Sequence, residues 1–288
     1  MESKRFEDTK KAAVVGIVGN IFLAIIKMIS GFTFKSQAMI ADSINSAVDI
    51  FSSAMTSIGN KIASAPSDDD HNLGHGKAEY LFSMFIAISM ILVSAELFIT
   101  DIGNLIHNQS SVTFSYILVA SAIITIICKI AMYLYTSAKT KKYNNILLDA
   151  NLKEHRNDII AAIFTLISII SAKFGITCID SITGCGISIW IAIGGIKIFI
   201  KSYNVLMDKT ISEETRRKII DIVEAHKEVK KINHLNCSPM GVKYMVSISI
   251  FVDGDMKTYD SHEIANQIEE EITGLDEVEL TIVHVNPI

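Results

Sequence analysis

Up to about residue 201 the sequence is a succession of long apolar runs, and the remainder is charged and amphipathic. A helix needs about 20 mostly apolar residues to cross the hydrocarbon of a bilayer, where its backbone must be satisfied internally. Six runs approach or exceed that length: 12–34, 37–62, 79–103, 112–137, 146–174 and 178–201. Half of the 288 residues are hydrophobic and mean hydropathy is +0.38, too apolar for one ordinary soluble domain. The expected fold is therefore a membrane α-helical domain of six transmembrane helices followed by a small α+β domain. The expected boundaries are a leader at 1–11, a membrane domain at 12–208 and a soluble domain at 209–288.

Charge sets the expected orientation. Lys4, Arg5, Lys10 and Lys11 precede the first run, Lys61 and Lys77 flank the loop after the second, and Lys139, Lys141 and Lys142 follow the fourth. Lys201 and Lys209 follow the sixth, whereas the opposite loops hold little beyond Lys35 and Lys173. Both termini are then cytoplasmic, in a membrane of the bacterial plasma (inner) type. The leader carries charge but no cleavage site, unlike a signal peptide. A net charge of −5 argues against nucleic acid as a partner. Cys128, Cys178, Cys185 and Cys237 show no CxxC spacing and are expected as small core residues.

The second run carries polar residues that a bilayer helix does not tolerate without a use. At about 100° per residue, Asp42, Asn45 and Asp49 share one helix face, which Ser46, Ser53, Thr56 and Asn60 extend. The fifth run repeats the pattern, with Glu154 and Asp158 one turn apart and His155 beside them. A carboxylate in hydrocarbon is costly unless paired, protonated or bound to a cation. Two such helices imply a cation site between them, near the bilayer midplane. Lys27, Glu96, Lys129, Asp180 and Lys197 also lie in the runs, and are expected to snorkel or to pair near helix ends.

The loop after the second run holds Asp68, His71 and His75, ligand types for divalent transition metals. A solvated acidic turn with two incidental histidines fits it equally well. Beyond Ser212 the pattern predicts a helix over 213–229, a short strand near 232–236 and a strand over 243–253. A helix opening on an Asp260–Glu263 capping box and stopping at Gly274, then a strand over 279–285, complete the order αββαβ. About 80 residues is near the lower limit for a self-sufficient core, so pairing with a second copy would help.

Taken in order, the strings ADSINSAVD, DDDHNLGHGKAE, ANLKEHRND and LMDKTISEE resemble the cation diffusion facilitator family of metal–proton antiporters, over nearly the whole chain. The resemblance implies a ferredoxin- or metallochaperone-like cytoplasmic domain and a homodimer held largely by it. It also implies metal efflux coupled to inward proton flow, with no cofactor beyond the transported ion. Family ligand positions correspond here to Asn45, Asp49, Glu154 and Asp158, with Asp42 and His155 adjacent. Asn replaces one carboxylate and Glu replaces a histidine of the zinc-exporting branch. Asp68, His71 and His75 match a peripheral metal site. Lys77 and Asp208 match a charge pair joining the two domains, expected here to be partly buried. His234, His262 and His284 stand near cytoplasmic ligand positions, but Ser249 and Asn286 replace a histidine and an aspartate.

Protons and metal ions compete for the same carboxylates, and a midplane site exposed to one side at a time couples their flow. Four oxygen ligands favour Mn²⁺ over Fe²⁺ or Zn²⁺, which gain more from nitrogen or sulfur. Two membrane aspartates also suit an intramembrane aspartyl protease, but the GxGD string is missing. A membrane metal sensor without transport is the other alternative.

Overall fold

The computed structural model describes residues 2–33, 37–107, 114–143, 145–174 and 178–288, without the side chains of 2, 3, 30, 31, 33, 37–45, 168, 172, 178–181 and 183. The chain divides into two compact units. One comprises Met1–Ala65 with Ala78–Tyr203, and the other Pro66–Lys77 with Asn204–Ile288.

The first unit is helical: α1 (Glu2–Thr33), α2 (Gln37–Ala63), α3 (Ala78–Ile106), α4 (Tyr116–Thr140), α5 (Ile146–Ala172) and α6 (Cys178–Leu206). Among the described residues, four segments are long and apolar enough to cross a membrane: Lys4–Ile29, Ala78–Ile106, Tyr116–Thr140 and Gly184–Leu206. The other two helices, α2 and α5, have 27 residues each, about 40 Å at 1.5 Å per residue. Their length suffices, but their apolarity is diluted by buried Ser46, Ser52, Ser53, Thr56 and Asn60 on α2, and Asn151, Glu154, His155 and Asn157 on α5. Lipid-type faces lie elsewhere, as on α1, where Val18, Phe22, Ile25 and Ile29 are exposed.

The leader differs from expectation. It is not a separate segment but the opening turns of α1, because its side chains find partners at helical spacing. Arg5 pairs with buried Glu79 of α3. Asp8 accepts from Lys139 of α4 at 2.8 Å and from the Tyr143 hydroxyl at 3.1 Å. Asn60 of α2 donates to the Phe6 carbonyl at 2.9 Å. One side chain, Asn145, gathers three helices at this end. It caps α5 by accepting from the Leu147 and Leu148 amides, and its own amide donates to Thr9 of α1 and Glu79 of α3. Thr9, Ala12, Ala13, Gly16, Asn20, Leu23 and Lys27 form the buried stripe of α1, at three- and four-residue steps. At Gly16 a Cβ would lie 2.6 Å from Ser53 Oγ, so glycine lets α1 approach α2. Further along, Ile86, Ala87 and Met90 of α3 pack with Leu147 and Ala150 of α5 and Ile191 and Ile198 of α6.

The second unit holds α7 (Glu213–Ala225), β1 (Lys231–Pro239), β2 (Tyr244–Val252), α8 (Thr258–Thr273) and β3 (Val278–Pro287), the αββαβ order. The sheet order is β1-β2-β3, with β1 and β2 antiparallel and β2 and β3 parallel. Central β2 buries Val246, Ile248, Ile250 and Val252 on one face, the period of a pleated strand. Ile219 and Val223 of α7, and Ile264, Ile268 and Ile272 of α8, close over that face at four-residue spacing.

Three local expectations are corrected. The first helix of this unit stops at Ala225, since His226 is extended and a turn from its carbonyl to the Val229 amide frees Val229 to join the core. The strand expected at 232–236 is longer, because β2 offers a full-length partner. The capping box does not form: α8 begins at Thr258, so Asp260 lies inside the first turn, and the N-cap Lys257 makes no side-chain cap bond. Gly274 does end the helix, its amide donating to the Glu270 carbonyl.

Ile268 is fully buried between helix and sheet. Ile268→Ala should therefore destabilise the second unit by about 2–5 kcal/mol, measured as a lowered unfolding transition of that unit in calorimetry while the helical unit's transition stays in place.

Candidate metal centre

The aspartates expected at the heart of the chain do come close together, but not around open space. Lys129 Nζ of α4 donates to Asp49 Oδ2 of α2 at 2.6 Å and to Asp158 Oδ2 of α5 at 2.6 Å. The lysine side chain is 2% exposed, against 15% and 28% for the two aspartates. Lys129 thus pairs, as one of the two expectations had it, but not where expected. It neither snorkels nor sits at a helix end, because the buried stripe of α4, Ala122, Thr125, Lys129, Met132 and Thr136, fixes it mid-helix on the inner face. A signal was available: a lysine about 17–20 Å from either helix end cannot reach water with a stem of roughly 6 Å.

Glu154 and His155 are also buried, at 7% and 1% exposed. Among the described residues, Glu154 Oε2, His155 Nδ1 and the Ser53 hydroxyl have no hydrogen-bond partner. His155 lies toward α1, its Nε2 3.9 Å from where a Cβ on Gly16 would stand. Buried donors and acceptors without protein partners mark a place for an ion or water. The neighbouring Arg156 and Asn157 turn to α6 instead. Asn157 accepts from Trp190 Nε1 at 3.2 Å, and the Arg156 guanidinium lies over the Trp190 ring. The side chains of Asp42 and Asn45 lie outside the described residues, as does that of Asp180. Lys27 is buried and donates to Ser46, while Glu96 and Lys197 are exposed.

The loop residues Asp68, His71 and His75 are brought together, with one ligand atom from each within 4.8 Å of the others. Asp68 Oδ1 accepts from the backbone amides of Asp70 at 3.1 Å and His71 at 2.7 Å, shaping the turn. The His71 amide, above all, holds the Asp68 carboxyl below its ordinary range, so it stays an anionic acceptor. His75 Nδ1 lies 3.0 Å from the Pro66 carbonyl, which fixes Nδ1 as the protonated nitrogen. Its Nε2 faces Asp68 Oδ2 at 3.4 Å. A ring nitrogen oriented through its other nitrogen is how proteins prepare a metal-binding histidine. Two glycines place the loop. Gly76 lies against the Met240–Gly241 turn between β1 and β2, with its Cα 3.1 Å from a Cβ on Gly241, whose φ is +89°. A side chain on either would push the loop away.

Lys77 Nζ meets Asp208 Oδ1 at 2.6 Å. Contrary to the partial burial expected, the side chains are 40% and 57% exposed. Asp208 has a second task that the sequence did not suggest. Its φ is +53°, and the Lys209 amide donates to the Asn204 carbonyl while its own donates to that of Val205. This is a Schellman ending for α6, with aspartate in the left-handed place usually held by glycine.

The three histidines expected as ligands in the second unit do not converge. His234 of β1, His262 of α8 and His284 of β3 are all exposed. His234 and His284 each pair in register with Ser249, but Ser249 Oγ accepts from Asn286 Nδ2 at 2.7 Å. The two residues that depart from the pattern the resemblance implied are thus hydrogen-bonded to each other. Among the described residues the cluster of three metal-type ligands is the loop trio.

Comparison with known proteins agrees in register with this architecture. Residues 13–207 match the model of the cation efflux transmembrane domain, and residues 211–288 that of the cation efflux protein cytoplasmic domain. The chain is 27% identical to the manganese efflux system protein MneP of Bacillus subtilis, over 100% of this chain and 99% of that protein. It is 27% identical to the magnetosome protein MamM of Paramagnetospirillum magneticum, over 90% and 82%. It is 24% identical to the cation-efflux pump FieF of Salmonella typhi, over 96% and 92%.

An exposed ion pair contributes about 0–1 kcal/mol. A double-mutant cycle on Lys77→Ala and Asp208→Ala, followed by thermal unfolding, should therefore give a coupling below about 1 kcal/mol. Asp208→Gly should cost less than Asp208→Ala, since glycine alone of the two accepts the left-handed turn without strain.

Proposed function

The chain belongs to the cation efflux family, also called cation diffusion facilitators, and from that premise we propose that it exports a divalent transition metal, Mn²⁺ first, in exchange for protons. The observation that carries the reading is the meeting of Asp49 and Asp158, from α2 and α5, in the buried middle of the helical unit. Glu154 stands beside them with an oxygen unpartnered among the described residues, and Asn45 belongs on the same ligand set by its place one turn before Asp49. All six long helices cross the membrane in this reading, with both termini in the cytoplasm of a bacterial-type cell. The second unit then lies in the cytoplasm and pairs two copies of the chain.

The cycle follows from the groups. A carboxylate binds either a proton or a metal ion, so loading metal from one side discharges protons and reloading protons expels metal. Helices α2 and α5 need only tilt to open the pair to one face at a time. The loop trio, Asp68, His71 and His75, holds a second ion outside the transport path. Manganese is favoured because oxygen ligands predominate at the centre, and relatives named as manganese efflux proteins add to this support.

Asp49→Ala and Asp158→Ala should each abolish Mn²⁺-driven proton flux in proteoliposomes while the protein remains dimeric in size-exclusion chromatography. Normal flux in either variant would sink the central-site assignment, and Mn²⁺ binding without any flux in the wild type would favour the sensor reading. Competition transport then tests the metal. Glu154→His should move preference toward Zn²⁺, and His155→Ala should leave the Mn²⁺ preference in place. A wild type that prefers Zn²⁺ and loses that preference on His155→Ala would overturn the choice of manganese.

A further inference from the structure

Lys129 Nζ stands where a divalent ion bridging Asp49 and Asp158 would have to stand. It contacts one oxygen of each at 2.6 Å and is 2% exposed. Its neighbours on the inner face of α4, Thr125 and Met132, are buried too. An ammonium offers donors only, three of them, and so matches a pair of carboxylates as a small cation does. Two aspartates and one lysine leave a formal charge of −1, whereas a divalent ion added with the lysine retained makes it +1.

We propose that Lys129 is a tethered competitor for the transported ion. Its ammonium holds Asp49 and Asp158 together when no metal is bound, withdraws when a divalent ion enters, and by repulsion from the loaded site drives the ion out again. The inference rests on reading Asp49 and Asp158 as transport ligands. It assigns Lys129 a part in setting affinity and release, not in binding metal itself. The lysine thereby spares the empty transporter two unpaired carboxylates in a low-dielectric interior. It also keeps binding weak enough for turnover, since a site that binds too well releases slowly.

The test is Mn²⁺-driven proton flux of the full-length protein in liposomes, with KM and kcat separated. Lys129→Met and Lys129→Gln remove the charge and should lower KM about tenfold or more, the range of close charge-pair couplings, while kcat falls as release slows. Lys129→Arg keeps the charge and should keep KM near the wild-type value. A strut with a merely structural role would raise KM or leave it unchanged, and either result in both neutral variants would overturn the proposal. So would the failure of both to assemble as dimers. Normal flux in Asp49→Ala and Asp158→Ala would instead remove the site itself. Inactive aspartate variants beside an unshifted KM in Lys129→Met would remove only the competitor.

Discussion

The cost of taking charge out of water is the constraint on which this molecule turns. The idealised cost of moving an ion into a medium of low dielectric is of order 20 kcal/mol, and several kcal/mol survive after relaxation. Asp49, Lys129 and Asp158 meet that cost jointly, each supplying the counter-charge the others need. The arrangement demands that α2, α4 and α5 converge, so the packing of three helices is tied to one ammonium. A second polar assembly lies at the helix ends, where Arg5, Asp8, Glu79, Lys139 and Asn145 join α1, α3, α4 and α5. Between them the helices are mostly apolar, and polar contacts such as that of Asn151 with Thr56 mark the steps in between.

Much of this was legible in the sequence because membrane helices and pleated strands announce themselves by period. The six long helices and the αββαβ order follow from apolar runs and alternation, with ends displaced by a few residues where tertiary partners decided. The leader was misjudged because charge near a terminus looks like solvent exposure until its partners are known, and those partners are 74 and 131 residues away. The place of Lys129 was misjudged for the same reason. Its counter-charges lie 80 and 29 residues distant in sequence, and only its mid-helix position hinted that snorkelling was out of reach. The loop trio was the opposite case. Asp68, His71 and His75 are local, so spacing alone placed them together.

Oxygen donors at the centre and imidazole in the loop set two groups of side chains apart. The central residues that the structure describes offer carboxylates, with His155 turned toward α1. The loop offers two imidazoles and one carboxylate, with one imidazole already oriented by the Pro66 carbonyl. Donor sets of such different softness would suit different ions. In the β-sheet of the second unit, Ser249 and Asn286 bind each other and leave His234 and His284 as surface residues.

The left-handed residue that ends α6 has a consequence for how this chain can vary. Glycine, asparagine and aspartate are the residues that occupy that region at small cost. Of these, aspartate alone brings a negative charge to face Lys77. Backbone geometry therefore favours three letters at position 208, and the exposed charge pair adds only a slight preference for one of them. A lineage that substitutes Lys77 would lose that slight preference and keep the geometric restriction. The position should then alternate among Asp, Asn and Gly while its turn stays intact.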